Sequence, residues 1–233
     1  KAAGKINVPF HSVPGARNSI QYKDRSACVG YSVCRSCPVA AKYCSTYTIN
    51  KLKRYDNFKI IYNSHVKEVL IDKNKNIKGV LCIDQNNLEY TFRSKKVILA
   101  AHTINNPAIL LRSAKNYFPE GLANSSGQLG RNLMDHVKYY MMGKIDEKVY
   151  SHKLGFETSA SSHFHDHTSR NRYGASRILV RETSGPTPND IAMSSGFWGN
   201  KLEEEIKKTF NHSLVLGCLS EQLPYQDNRV ELS

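Results

Sequence analysis

The chain has 233 residues, enough for one large domain or two small ones with a real core. No apolar run approaches the ~20 residues of a membrane-spanning helix. The formal net charge is +13, but the lysines at 51–53, 73–78, 95–96 and 201–208 are interleaved with Asn, Asp and Glu. That is the pattern of a solvated surface. It lacks the basic stripe, stacking aromatics or recognisable module of a nucleic-acid binder, while leaving room for an acidic partner or an anionic membrane face.

In chain order, residues 1–27 are polar and rich in turn formers, and residues 28–46 hold four of the six cysteines. Tyr43 to Tyr55 predicts a helix with Ile49 and Leu52 on one face, and Phe58 to Tyr62 a strand. His65 to Asp72 alternates apolar and polar residues, Asn74-Lys75-Asn76 makes a turn, and Lys78 to Asp84 returns. A second Asn-rich turn at Gln85-Asn86-Asn87 leads into Leu88 to Ser94. The pattern is an antiparallel meander.

Val97 to Ala101, Val-Ile-Leu-Ala-Ala, suits a fully buried parallel strand. Thr103, Asn105 and Asn106 are turn or N-cap candidates, with Pro107 as the first helical residue. Ala108 to Lys115 then predicts a helix, with Ile109, Leu110 and Leu111 as its apolar residues. A strand that stops on alanines and turns into a capped helix lets a bulky ligand approach the backbone, and the helix N-terminus offers free N–H groups to an anion.

After His136 the texture changes. Val137 to Ile145 is a strand candidate, residues 150–200 are rich in Ser, His, Thr and Gly, and Leu202 to Phe210 predicts a charged helix. Leu214 to Leu219 predicts a buried strand, and Val230 the start of another. These features divide the chain into residues 1–136 and 137–233. His163, His165 and His167 would share one face of a strand as a metal array, against the plainer alternative of a polar strand end or loop.

Cys28, Cys34, Cys37 and Cys44 are spaced C-x5-C-x2-C-x6-C, with Pro38 after the third. Thiolates this close converge on a soft metal or cluster when the loop can wrap, and Gly30, Ser32, Ser36 and Pro38 allow that. Zinc usually shows two C-x-x-C knuckles, whereas iron–sulfur clusters accept less regular runs that end in Cys-Pro. Spacing alone leaves cluster, zinc and disulfide open. Cys82 and Cys218 sit inside strand patterns and are expected in the core.

The chain resembles the glucose–methanol–choline (GMC) family of FAD-dependent oxidoreductases, closest to the large subunits of bacterial membrane-bound dehydrogenases for gluconate, fructose and glucose. The residues that carry the resemblance are Cys37-Pro38 with Ala41-Lys42, His65 to Val69, Val97 to Ala101, Asn106 to Leu111, and Gly121 to Ser126. Gly130-Arg131-Asn132-Leu133-Met134-Asp135-His136 is the most specific block, and Leu223-Pro224 with Asn228-Arg229-Val230 continues the match in family order.

The resemblance implies an α/β (α+β) architecture: the central part of a Rossmann-like FAD-binding domain with its antiparallel meander, including the loop 28–44, then part of a β-sheet-based substrate domain. It implies an internal piece of a longer enzyme, because the family's GxGxxG unit and its catalytic histidine segment have no counterpart here. No residue of this chain is therefore expected to be the catalytic base. By resemblance, Val66 would meet the adenine side of FAD through its backbone, and Ala100 and Ala101 would line the cofactor. Asn132, Leu133 and His136 would lie near the flavin. His102 departs from the family's usual Gly or Asn.

Cys28, Cys34 and Cys37 align with a trio that holds a three-iron (3Fe-4S) cluster in the glucose-dehydrogenase-like branch. Cys44 is extra and would make a four-thiolate (4Fe-4S) site, and Val29 replaces a cysteine that ties to a small partner subunit. The implied enzyme oxidises a hydroxyl of a sugar, sugar acid or polyol. It works with a small subunit and a cytochrome c subunit, and is held through them at the periplasmic face of a bacterial inner membrane. The alternatives are a GMC oxidase that uses oxygen, and a non-catalytic scaffold protein whose cysteine loop is a zinc or disulfide knot.

Overall fold

The computed structural model describes residues 2–30, 37–150, 159–166, 168–170, 172–181, 183 and 185–232. The elements in chain order are α1 (Ala2–Lys5), β1 (His11–Ser12), α2 (Ser45–Leu52), β2 (Ser64–Ile71), β3 (Ile77–Asp84), β4 (Glu89–Arg93) and α3 (His102–Arg112). They continue with β5 (His136–Lys144), β6 (Ser159–Ser161), β7 (Ser176–Val180), α4 (Pro188–Ser195), α5 (Gly199–Thr209) and β8 (Ser213–Glu221). Two compact units emerge, one from Lys1–Lys51 with His136–Gln222, the other from Leu52–Asp135 with Leu223–Ser233. The chain thus passes between units at 51–52, 135–136 and 222–223, where the sequence pattern placed one crossing, at His136.

The second unit is built on the meander β2-β3-β4, whose two turns use the same chemistry. Asp72 Oδ1 accepts the N–H groups of Asn74 and Asn76, both at 2.9 Å. Asp84 Oδ1 accepts those of Asn86 and Leu88 at 2.8 and 2.9 Å. In each turn the residue three after the aspartate, Lys75 or Asn87, is left-handed (φ 64° and 61°). A short acceptor side chain that satisfies its own turn is why Asp-led, Asn-rich segments reverse the chain here.

β2 carries a bulge: Val66 pairs with Cys82 and Glu68 with Leu81, leaving Lys67 as the extra residue. β2 is also the margin of its sheet, and the outward backbone groups of a marginal strand must find other partners. The last turn of α3 supplies them. Arg112 Nε donates to the Lys67 carbonyl at 3.0 Å. The fully buried Ser113 hydroxyl accepts the Val69 N–H at 2.8 Å and donates to the Ile109 carbonyl at 2.6 Å. Val69, Cys82, Ala108 and Ile109 form the apolar core beneath this contact, so Cys82 is a core residue as its strand pattern implied.

The first unit is an antiparallel five-stranded sheet in the order β1-β6-β7-β8-β5. β8 is the interior strand between β7 and β5, and its Val215 and Cys218 are buried together with Ala160 and Leu179. β5 runs along the sheet margin, exposed at all nine positions. α4 begins with a capping box: the Thr187 hydroxyl accepts the Asp190 N–H, and Asp190 Oδ2 accepts the Thr187 N–H at 2.8 Å. Pro188 occupies the first turn and a left-handed Gly196 ends the helix. The Thr-Pro-Asn-Asp signal for it is plain in the sequence and was missed there.

The mixed α/β class holds, with both sheets antiparallel. Several elements differ from the sequence pattern. Val97 to Ala101 forms no strand, and Ile98 is 92% exposed. A parallel strand needs neighbours on its edges, and none of the described strands pairs with this segment. α3 starts at His102, not after Pro107, so Pro107 lies inside it. α2 is shorter than Tyr43–Tyr55, and neither Phe58 to Tyr62 nor Val230 lies in a strand.

Two outcomes follow. Ser113→Ala leaves the buried Val69 N–H without its acceptor and is expected to cost about 1–3 kcal/mol, read as a lower urea midpoint with unchanged slope. An unchanged midpoint would refute the role given to Ser113. Asp72 is held down to about 2 by its hydrogen bond from Lys78, then by the amide of Asn76. A folded-state value below the ordinary 3.8 means its support of the turn is complete above the unfolded value and is lost as pH falls through about 2. Carboxyl-carbon NMR should place its midpoint there. A midpoint at the ordinary value would show the turn unsupported by this carboxylate.

Candidate functional site

Two sets of expected site residues can be placed. In the second unit, Val66 sits half-buried in β2, next to the bulged Lys67. Ala100 is exposed and Ala101 half-buried, immediately before α3. Asn106, expected as a turn or cap, lies one turn inside the helix and reaches back. Its Oδ1 accepts the Ala101 N–H at 2.8 Å and its Nδ2 donates to the Leu99 carbonyl at 3.4 Å. One side chain thereby fixes the path of the alanine edge. Ala100 is small and exposed.

His102 has φ 80°, a conformation that favours glycine and strains a residue with a Cβ. Its ring does not reach away from the helix: Nδ1 accepts the Ile104 N–H at 3.4 Å. The bulky residue that departs from the family pattern therefore caps its own helix, satisfying one of the amides left free at any helix start.

The block around Asn132 is bound to a segment nearly a hundred residues away. Leu133 donates its N–H to the Asn228 carbonyl at 2.8 Å, and Val230 donates to the Gly130 carbonyl at 2.9 Å. Gly130 has φ 76°, and a Cβ there would lie 3.1 Å from the Val230 carbonyl oxygen. Only glycine suits both demands. Asn132 is left-handed as well (φ 60°) and donates from Nδ2 to Gln128 Oε1 at 3.1 Å. Asn132 and Leu133 are half-buried, while His136 is exposed at the start of β5 in the first unit. Val66, Ala100, Ala101, Asn132 and Leu133 thus share one compact unit, and His136 belongs to the other.

The cysteine loop belongs to the first unit. Cys34 lies outside the described residues. Cys28 and Cys37 are half-buried free thiols and Cys44 is an exposed one. Each described thiol of the expected trio receives a backbone amide: Gly30 N–H on Cys28 Sγ and Lys42 N–H on Cys37 Sγ, both at 3.4 Å. The Lys42 amide, with those of Val39 and Ala41, pulls the Cys37 thiol below its ordinary value despite partial burial. Cys44 is lowered by the Thr46 hydroxyl and amide at the start of α2. Amide donors aimed at sulfur suit thiolate ligands, so the donor chemistry at Cys28 and Cys37 fits a metal cluster. Among the described residues, no three His, Cys, Asp or Glu side chains gather into a metal-holding group. No two described cysteines are joined by a disulfide.

His163 and His165 lie in a turn, not on a strand, and His167 lies outside the described residues. The His163 ring stacks edge-on against Phe164. The strand face needed for a metal array is absent because β6 ends at Ser161. Among the described residues no helix is long and apolar enough to cross a membrane.

Comparison with known proteins adds four findings. The family model described as GMC oxidoreductase matches residues 1–138. The fructose dehydrogenase large subunit of Gluconobacter japonicus is 32% identical over 232 residues, covering 99% of this chain and 42% of that protein. The 2-methyl-1,2-propanediol dehydrogenase of Mycolicibacterium austroafricanum is 27% identical over 71% of this chain and 31% of its own length. Among solved structures, pyridoxine 4-oxidase from Mesorbium loti aligns with TM-score 0.46 and 15% identity over 71% of this chain and 30% of that one. The chain therefore spans less than half the length of the relatives it matches.

His102→Gly removes the Cβ from a left-handed position and is expected to raise stability by about 1 kcal/mol, seen as a higher urea midpoint. A lower midpoint would show that the ring's capping bond outweighs the backbone strain.

Proposed function

The chain belongs to the GMC oxidoreductase family, and from that premise we propose that it is part of an FAD-dependent dehydrogenase acting on a hydroxyl of a sugar, sugar acid or polyol. The supporting observation is that the family match over residues 1–138 includes every position expected to touch FAD, five of them in one compact unit. FAD would supply the hydride acceptor for the alcohol carbon, and a cluster at Cys28, Cys34 and Cys37 would supply one-electron transfer to a cytochrome c subunit or quinone.

The chain's own residues do the holding. Val66 would offer its backbone beside the bulge that α3 locks. Ala100 and Ala101 would leave room for the cofactor along an edge that Asn106 pins. Asn132 and Leu133 would shape the flavin side through the turn clasped by Asn228 and Val230. His136 would carry the chain from that turn into the substrate-domain sheet. Cys28 and Cys37 would hold the cluster as thiolates stabilised by backbone amides. A small subunit and a cytochrome c subunit would complete the assembly and bring it to the periplasmic face of the membrane. The likeness to a fructose dehydrogenase large subunit favours this relay over an oxidase.

The enzyme that contains this chain, purified without air, is expected to release FAD on denaturation and to contain iron and acid-labile sulfide. It should show a cluster signal by paramagnetic resonance and reduce a one-electron dye with a sugar or polyol faster than it consumes oxygen. Flavin with fast oxygen consumption and no iron would replace the relay with an oxidase. Absence of flavin would overturn the proposal.

A further inference from the structure

The first unit holds a serine–histidine pair that the flavin chemistry does not use. β1 pairs with β6 so that His11 stands opposite Ala160. Side chains two apart along a strand share a face, so Ser162, just past the end of β6, follows Ala160 on the side of His11. The two are diagonal neighbours, a separation that a long side chain spans. His11 Nε2 lies 3.1 Å from Ser162 Oγ, and His11 Nδ1 lies 3.0 Å from the Ser12 carbonyl oxygen. A carbonyl oxygen only accepts hydrogen bonds. In the neutral ring Nδ1 therefore carries the proton, and Nε2 turns its lone pair to the Ser162 hydroxyl, which donates. Ser162 itself stands at the head of a turn: its carbonyl accepts the His165 N–H at 2.9 Å, and the fully buried Ser161 accepts the His163 N–H on its hydroxyl at 3.3 Å. His11 and Ser162 are both exposed.

We propose that Ser162 and His11 form a nucleophilic dyad that takes acyl groups from small esters, a second activity beside the flavin chemistry and independent of it. The order of partners is that of an activated nucleophile: a hydroxyl, an imidazole base, and a fixed acceptor that orients the base. Ser162 Oγ attacks the ester carbonyl carbon while its proton passes to His11 Nε2. The Oγ–C bond forms, the bond from that carbon to the leaving oxygen breaks, and Nε2 hands the proton to the departing oxygen. Water then attacks the acyl-serine in the same way, which releases the carboxylic acid and restores the hydroxyl. The Ser12 carbonyl keeps the ring in the tautomer and orientation that both steps need. An exposed dyad leaves the developing oxyanion to water, which reorganises as charge forms. The substrate class is therefore an unhindered ester with a good leaving group, such as a short-chain phenyl ester.

The test treats the enzyme that contains this chain with an alkyl fluorophosphonate. Its phosphorus stands in for the ester carbon and its fluoride for the leaving oxygen, and peptide mass spectrometry follows the adduct at each serine. Ser125 and Ser126, exposed in the second unit, are internal references. Ser162 should be labelled about 100-fold faster than either, and His11→Gln should remove that advantage, which is the low end of what a positioned base contributes. In His11→Ala, added imidazole should restore part of the rate. Equal labelling of Ser162 and the two references in the parent enzyme overturns the proposal, and this comparison needs no variant to fold. So does an unchanged Ser162 rate in His11→Gln, or a loss in His11→Ala that imidazole does not recover, since that marks a merely structural contact. Fast labelling of Ser162 in protein that carries no flavin would end the flavin proposal and leave this one standing.

Discussion

The contact between the end of α3 and the marginal strand β2 is the constraint on which the second unit depends. β2 pairs with β3 on one side only among the described strands, so its outward backbone groups need other partners, and buried backbone groups without partners are costly. Arg112 and Ser113 meet that demand from the last turn of α3. With its C-terminal turn fastened to β2, the helix has its direction set, and so has the place where it begins. Val66 next to the bulge and the Ala100–His102 edge at the other end of α3 are therefore placed by one contact. Both are positions where the family expects FAD.

The same economy appears in the two loops. The Gly130–Leu133 turn is held by backbone bonds from Asn228 and Val230, with a glycine where any side chain would press on Val230. The most specific family block and the block that continues the match at Asn228 to Val230, far apart in the chain, are thus two sides of one clasp. In the cysteine loop, the groups that matter to sulfur are the amides of ordinary residues, Val39, Ala41 and Lys42. The Ala40 and Ala41 carbonyls of the same segment accept from Arg25 at 3.0 and 2.8 Å. In both loops the printed contacts are made largely by backbone groups. Backbone groups are fixed dipoles that need little reorganisation.

Much of this was legible along the chain. The meander, its two Asn-rich turns, the β5 and β8 strands, the charged helix α5 and the core cysteines Cys82 and Cys218 follow from local alternation and turn chemistry, which act over a few residues. The family blocks pointed to FAD, in keeping with the GMC match, and implied positions along it for Val66, Ala101 and Asn132. Where the sequence misled, the cause was non-local. Val97 to Ala101 has the composition of a buried strand, but a strand exists only when another lies beside it. The histidine triplet has strand spacing but falls past the end of β6.

The sequence by itself determined the family, the mixed α/β class and the hairpin turns, because each depends on residue identity at short range. Only the tertiary structure decided that Pro107 is carried inside a helix and that the His102 ring accepts the Ile104 amide. It alone joined Gly130 to Val230, and it alone brought Arg25 onto the Ala40 and Ala41 carbonyls. These outcomes depend on the direction in which a peptide plane or an unpaired amide points once distant segments meet, and no local pattern of residues encodes that direction.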